Sequence, residues 1–104
     1  MKLIMGVENM VSDLFYSDNY CVFTFAATAH ALKAEKVLKN QKADFLVIPT
    51  LREISTSCGL SVKLSPDNLD RYFADLMNNR VSVEGIYQVE KEGKKNRIKK
   101  LELS

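Results

Sequence analysis

Cysteine and histidine are scarce in this 104-residue chain, which contains two cysteines and one histidine. Two thiols are too few for a disulfide framework, and two thiols with a single imidazole are a poor basis for a tetrahedral zinc site. We therefore expect free thiols, with no bound metal and no cofactor.

Long apolar runs are also absent. The short apolar cluster at 3–5 is interrupted by Glu8 and Asp13, and no small-residue cleavage site follows a sustained apolar stretch, so we expect no signal peptide. No run approaches the roughly 20 apolar residues that are needed to cross a bilayer. The default expectation is a cytoplasmic protein with no membrane partner.

The charge balance favours no class of partner. The net charge is +2, and 46% hydrophobic and 27% charged residues are typical of an ordinary globular domain. A chain of this length fits one domain with a modest core.

Apolar residues at regular spacing predict four strands and two helices. Leu60, Val62 and Leu64 alternate with polar residues, as in a strand with one buried face. Apolar residues recur at spacings of three and four in the two helices. The predicted elements are a strand at 20–25, a helix at 28–40 with Thr28 as N-cap, strands at 44–48 and 60–64, a helix that starts at Ser65 and Pro66 and stops at 78–79, and a strand at 81–89.

This order of elements predicts an α+β fold of the split βαβ, or ferredoxin-like, kind. Such a βαββαβ domain has a four-stranded antiparallel sheet with both helices on one face. The other face would then expose Tyr20 and Val22, and we hypothesise that it forms a homodimer contact.

The two ends of the chain lie outside this pattern. We divide the sequence into an N-terminal extension at 1–19, a domain at 20–90 and a basic segment at 91–104. The extension has apolar residues at helical spacing and could form an amphipathic helix over the open face. The basic segment is either a β-hairpin that turns at Gly93 or a frayed tail.

The segment 49–60 is the best candidate for a functional site. A run of hydroxyl residues at 55–57 ends in Cys58, which is followed at once by Gly59. A free cysteine is often a small buried apolar side chain, and this alternative stays open. We favour a functional thiol because Ser55, Thr56 and Ser57 supply hydroxyl groups around it.

A reactive cysteine needs a neighbour that stabilises its thiolate. The fixed charge of Arg52 is one source, although a helical turn at 51–57 would place Arg52 and Cys58 on different faces. Backbone N–H groups around Gly59 are the alternative source. The predicted site therefore consists of Cys58 as the reactive thiol, with Arg52, Ser55, Thr56, Ser57 and Gly59 around it.

No general base for cysteine catalysis is visible. His30 is the one histidine and stands at the start of a predicted helix, where a surface or packing role is commoner. Cys21 lies within a predicted central strand and is expected to be a core residue. A redox pair of Cys21 and Cys58 stays open.

Three segments of the chain resemble a family of short bacterial proteins described as selenium or sulfur carrier-like. The segments are 25–32 together with Glu35, 48–60, and 83–87, and the resemblance covers about 20–88. Its most specific part is the Arg-Glu-Ile-Ser-x-Ser-Cys-Gly run at 52–59.

The resemblance implies a carrier rather than an enzyme that turns over a substrate. Cys58 would hold sulfur or selenium as a persulfide or perselenide, and the matching loop positions are Arg52, Ser55, Ser57 and Gly59. Its partners would be a donor such as a cysteine desulfurase and an acceptor protein. A carrier needs an accessible nucleophilic sulfur but no general base of its own.

Two other functions stay open. The basic C-terminal run and an open sheet face would suit a nucleic-acid-binding or protein-binding module, although an exposed aromatic pair with flanking arginines is missing. Metal delivery by Cys58 and His30 is weaker, since two ligands rarely hold a transition metal.

Overall fold

The computed structural model describes residues 18–54, 56 and 58–102. It has the α+β class that the sequence predicts, with two helices and an antiparallel sheet. The elements are β1 (Asn19–Thr24), α1 (Thr28–Asn40), β2 (Phe45–Pro49), β3 (Leu60–Leu64), a 3₁₀ turn (Pro66–Asn68), α2 (Leu69–Asn78), β4 (Gly85–Glu92) and β5 (Lys95–Leu101). The predicted helix at 1–19 lies almost wholly outside the described residues.

The sheet has the strand order β2-β3-β1-β4-β5, and all neighbouring strands are antiparallel. Each helix joins two strands that have another strand between them, which is the split βαβ arrangement. The predicted four-stranded ferredoxin-like sheet is nevertheless not matched exactly, because β5 adds a fifth strand beside β4.

The fifth strand comes from the basic C-terminal segment. Gly93 has a φ of +63°, a left-handed value that glycine adopts without strain, and it lies in the tight turn between β4 and β5. Of the two alternatives left open for this segment, the structure contains the hairpin.

The predicted last strand at 81–89 is displaced along the sequence. The structure places β4 at Gly85–Glu92, because Arg80 and Val81 complete the C-terminal end of α2 and do not belong to the strand. Arg80 has a φ of +61°, and the Val81 N–H donates to the Leu76 carbonyl at 2.9 Å. Val81 is therefore buried as part of the helix end and not as a strand residue.

Smaller differences occur at other element ends. β1 begins and ends one residue before the predicted strand at 20–25, and β2 includes Pro49, which we expected to end it. Proline is tolerated there because β2 is an edge strand, where a missing N–H can face away from the ladder.

Of the two predicted helix N-caps, the structure contains one. α1 spans the predicted residues, but its N-cap is Ala27, which has no capping side chain, so Thr28 is the first helical residue and not the cap. Ser65 does act as a cap, because its hydroxyl accepts from the Asp67 N–H at 3.3 Å.

The main core lies between the helices and one face of the sheet. It contains aromatic and aliphatic side chains from β1, β3 and both helices, and Phe23 and Phe73 meet in a tilted ring contact with centroids 6.2 Å apart. Both cysteines belong to this core.

The opposite face of the sheet is not open, contrary to our expectation. Tyr20 and Val22 are 3% and 0% exposed and form a second cluster with Val89. Lys63, which the strand pattern placed in solvent, is buried as well, with its ammonium group 4.1 Å from the centre of the Tyr20 ring. Within residues 18–102 as far as they are described, this face is therefore not exposed, and the homodimer stays a prediction.

Gly85 provides a test of how tightly β4 packs against β1. A Cβ atom at Gly85 would lie 2.9 Å from the Tyr87 ring and 3.1 Å from the buried Thr24 hydroxyl. We expect Gly85→Ala to lower the free energy of unfolding by about 1–3 kcal/mol through overpacking. Chemical denaturation measures the change.

Gly59→Ala is the matched control, because a Cβ at Gly59 meets no atom within 4 Å. We expect it to change the free energy of unfolding by less than about 0.5 kcal/mol. Equal effects of the two substitutions would contradict the close packing at Gly85.

Candidate functional site

Thr50 closes the segment that joins β2 to β3. Its N–H donates to the Gly59 carbonyl at 2.9 Å, and its hydroxyl donates to the Cys58 carbonyl at 3.1 Å. The same hydroxyl lies 2.7 Å from the Ser61 hydroxyl. These contacts hold the backbone of Cys58 next to the end of β2, so the position of the thiol is set by the sheet.

Apolar and polar contacts fasten the beginning of this segment to the protein. Leu51 packs against the second cluster, and Ile54 is buried, with its N–H donating to the Leu51 carbonyl at 2.9 Å. Glu53 accepts a hydrogen bond from the Asn96 side chain of β5 at 3.2 Å. The segment is therefore anchored on the sheet face that we expected to be open.

Thr56 links the segment to the end of β1. Its hydroxyl donates to the Phe25 carbonyl at 3.0 Å, and it also contacts the Glu84 carboxylate. The Cys58 N–H points to the same hydroxyl oxygen at 3.5 Å. One side chain thus connects Cys58 to the residues that precede α1 and β4.

The Cys58 thiol has two polar neighbours. The Leu60 N–H donates to Sγ at 3.4 Å, and Sγ lies 3.7 Å from the hydroxyl of Thr28, the first residue of α1. A neutral thiol donates its proton to this hydroxyl oxygen. A thiolate would instead accept a hydrogen bond from the hydroxyl.

Cys58 is nevertheless buried, with 2% of its surface exposed. It lies in the main core, as the packing alternative predicted, and has hydrogen-bonding partners, as the functional alternative requires. The two alternatives are therefore not exclusive. The sulfur sits in a closed site that contains one backbone donor and one hydroxyl group.

The structure brings Thr56 to Cys58, but it does not bring Arg52 there. Arg52 is exposed in a turn and has no hydrogen bond or ion pair within the described part of the chain. Gly59 is exposed next to Cys58, and its carbonyl accepts from Thr50. Ser55 and Ser57, the remaining predicted site residues, lie outside the described residues.

His30 is engaged away from the thiol. Its Nδ1 accepts from the Ser82 N–H at 3.2 Å, so this nitrogen is an acceptor that helps to hold the connection before β4 against α1. Cys21 is a free buried thiol in the core, as the strand pattern predicted. Cys58 is likewise free, so the structure contains no Cys21–Cys58 disulfide.

A family model described as "Putative Se/S carrier protein-like" matches residues 20–88. The chain belongs to this family. The match runs from the second residue of β1 to the middle of β4, and it includes the Cys58 segment and the start of α1. No curated protein and no solved structure matches the chain.

Two further observations concern the described residues. None of the helices in this part of the chain is long and apolar enough to cross a membrane. No group of three or more His, Cys, Asp or Glu side chains there is arranged to hold a metal ion.

Sequence reasoning missed three contributors to the site. Contacts with Cys58 are also made by Thr28, the Leu60 N–H and Thr50, none of which was among the predicted site residues. Thr28 is 30 positions from Cys58, and only the packing of α1 against β3 brings the two together. The family match at the start of α1 was the one signal that could have pointed to it.

The pH dependence of stability tests the burial of Cys21. Burial raises the pKa of the Cys21 thiol from its ordinary 9.0 to about 11. Because the folded state favours the neutral thiol, this stabilisation is complete below pH 9.0 and is lost as the pH rises through about 11. We therefore expect Cys21 to weaken the fold as the solution becomes more alkaline over this interval.

Cys21→Val supplies the control, because it has no ionisable thiol at the same site. The measurement is the difference in unfolding free energy between wild type and Cys21→Val, at about pH 8 and about pH 11. Wild type should lose stability relative to the variant at the higher pH. A difference that does not change with pH would contradict a buried, neutral Cys21.

Proposed function

We propose that the protein is a sulfur or selenium carrier that holds the chalcogen on Cys58. The observation that supports this most strongly is the pair of polar contacts at the thiol, from the Leu60 N–H and the Thr28 hydroxyl. The family description supports the same function. Together they favour a site for a charged sulfur over a cysteine that only fills space.

The transfer needs no oxidant beyond the donor. The Cys58 thiolate attacks the outer sulfur of a donor persulfide, so the new Cys58 sulfur–sulfur bond forms while the donor's own sulfur–sulfur bond breaks. The donor cysteine leaves as a thiolate with the bonding electron pair. An acceptor nucleophile then takes the outer sulfur in the same way and releases Cys58 as a thiolate.

Thr28 and the Leu60 N–H stabilise negative charge in this scheme. Negative charge appears on Cys58 before it is loaded and again when it leaves. A hydroxyl that can rotate serves both states, since it accepts from a thiol and donates to a thiolate. The N-terminus of the 13-residue α1 adds a favourable potential at the same place.

Transfer also requires access, because 2% exposure leaves no path for a partner's sulfur. The hydroxyl of Thr56, which the Cys58 N–H faces, is held by its contacts with Phe25 and Glu84. Loading would therefore take place in a conformation where contacts around Cys58 have changed. This requirement predicts slow reaction of free Cys58 with thiol reagents relative to an exposed cysteine.

The partners proposed with this function are a donor protein such as a cysteine desulfurase, an acceptor protein and possible pairing with a second copy of the chain. Cytoplasmic location fits such partners. Arg52, Thr56 and Gly59 stay proposed binding residues of the loop, with Ser55 and Ser57 outside the described residues. We propose no catalytic turnover and no cofactor.

The alternative of a module that binds nucleic acid or protein through an open sheet face loses its main support. It needed an open sheet face with accessible side chains, but Tyr20 and Val22 are buried. In the described part of the basic hairpin, Arg97 pairs with Glu92 at 3.1 Å, which offsets part of its positive charge.

Substitution of each cysteine tests the carrier assignment. We expect Cys58→Ser to abolish loading by a cysteine desulfurase that is supplied with cysteine, because no sulfur remains to form the persulfide. Cys21→Ser should retain loading. Intact-protein mass spectrometry without reductant measures the added sulfur mass, and equal loading of the two variants would defeat the assignment.

The hydroxyl of Thr28 gives a second test. Thr28→Val keeps the shape but removes the group that can donate to the thiolate, so we expect Cys58 alkylation by iodoacetamide to slow by about fivefold, or ~1 kcal/mol. Thr28→Ser keeps a hydroxyl and should restore most of the rate. Equal rates for the valine and serine variants would show that the hydroxyl does not act on the sulfur.

A further inference from the structure

A cleft of about 340 Å³ opens where the main core reaches the surface. Its apolar lining consists of Phe73 from α2, Val83 before β4, Ile86 in β4 and Leu101 at the end of β5. Three of these side chains, those of Phe73, Val83 and Leu101, are only partly buried against the core. The cleft is therefore an apolar surface that the fold leaves partly uncovered.

Charged residues border this apolar lining. Glu84 and Glu102 contribute two carboxylates and Lys100 contributes one ammonium group, so the cleft has a net negative border in a chain of net charge +2. Neither carboxylate belongs to an ion pair within the described residues. A large apolar side chain with a neighbouring positive charge is the complementary ligand.

The cleft is connected to the thiol by a short series of contacts. Glu84 borders the cleft and contacts the Thr56 hydroxyl, which also faces the Cys58 N–H at 3.5 Å. A ligand in the cleft would thus lie beside the contact between Glu84 and Thr56, one residue-to-residue step from the Cys58 backbone.

We infer that this cleft docks a segment of a partner protein in which a large apolar side chain is flanked by lysine or arginine. The inference rests on the proposed function in one respect, since it assigns the segment to the protein that exchanges sulfur or selenium with Cys58. Peptide docking itself depends only on the apolar lining and the two carboxylates.

A peptide titration tests the docking. The probe is acetyl-Lys-Phe-Lys-amide, added to isotope-labelled protein while amide chemical shifts are recorded. We expect saturable shifts at Val83, Ile86 and Leu101, and smaller ones from acetyl-Glu-Phe-Glu-amide at equal concentration. The absence of saturable shifts, or equal binding of the two peptides, would overturn the inference.

Two variants test whether the peptide binds at the cleft or is attracted by any exposed carboxylate of the protein. Glu102→Gln removes one border carboxylate and should weaken the basic peptide by about two- to fivefold, the range of an exposed charge pair. Glu90→Gln removes an exposed carboxylate of β4 that does not line the cleft, and should leave affinity unchanged. Equal weakening by both would overturn the cleft as the binding site.

The last comparison distinguishes the docking from the carrier function. Cys58→Ser should bind the basic peptide as wild type does, because it leaves the cleft intact. If Glu102→Gln also slows sulfur loading by the desulfurase in proportion to the lost peptide affinity, the docked partner is the donor. Loading at the wild-type rate by Glu102→Gln, despite its weaker binding of the peptide, would overturn that assignment while the carrier function stands.

Discussion

The end of β1 is the structural constraint on which the rest of the site depends. Two separate segments donate hydrogen bonds here: the Glu84 N–H donates to the carbonyl of Thr24, the last strand residue, at 2.7 Å, and the Thr56 hydroxyl donates to the carbonyl of the next residue, Phe25, at 3.0 Å. α1 starts three residues later and supplies Thr28 to the thiol. Because β1 is buried on both faces, this junction is held by the core and not by the loop itself.

Much of the fold could be predicted from local patterns, because strand alternation and helix spacing report burial directly. β3 and the extent of α1 follow the prediction. The burial of the second sheet face was not predicted. The alternating pattern of β3 placed Ser61 and Lys63 in solvent, but their burial depends on neighbours that are distant in sequence. The shift of β4 depends on how Arg80 and Val81 end α2, which periodicity does not encode.

The site was predictable to a smaller extent. A run of hydroxyl residues before a cysteine and a glycine locates the segment, but it does not identify the groups that reach the sulfur. Arg52 was the expected source of positive potential, yet it is exposed, while an uncharged helix start lies at the thiol. Contacts between residues 30 positions apart arise from packing, so no local spacing rule could indicate them.

The two cysteines show why burial alone does not decide a thiol's role. Both lie in the same core and are almost equally covered, at 1% and 2% exposure. Burial raises the pKa of the Cys21 thiol to about 11, and this side chain has no hydrogen bond among the described residues. Cys21 is therefore a neutral core residue. Cys58 has a backbone donor and a hydroxyl at its sulfur. The two thiols therefore differ in their polar contacts and not in their burial, and the proposed carrier function rests on the contacts of Cys58.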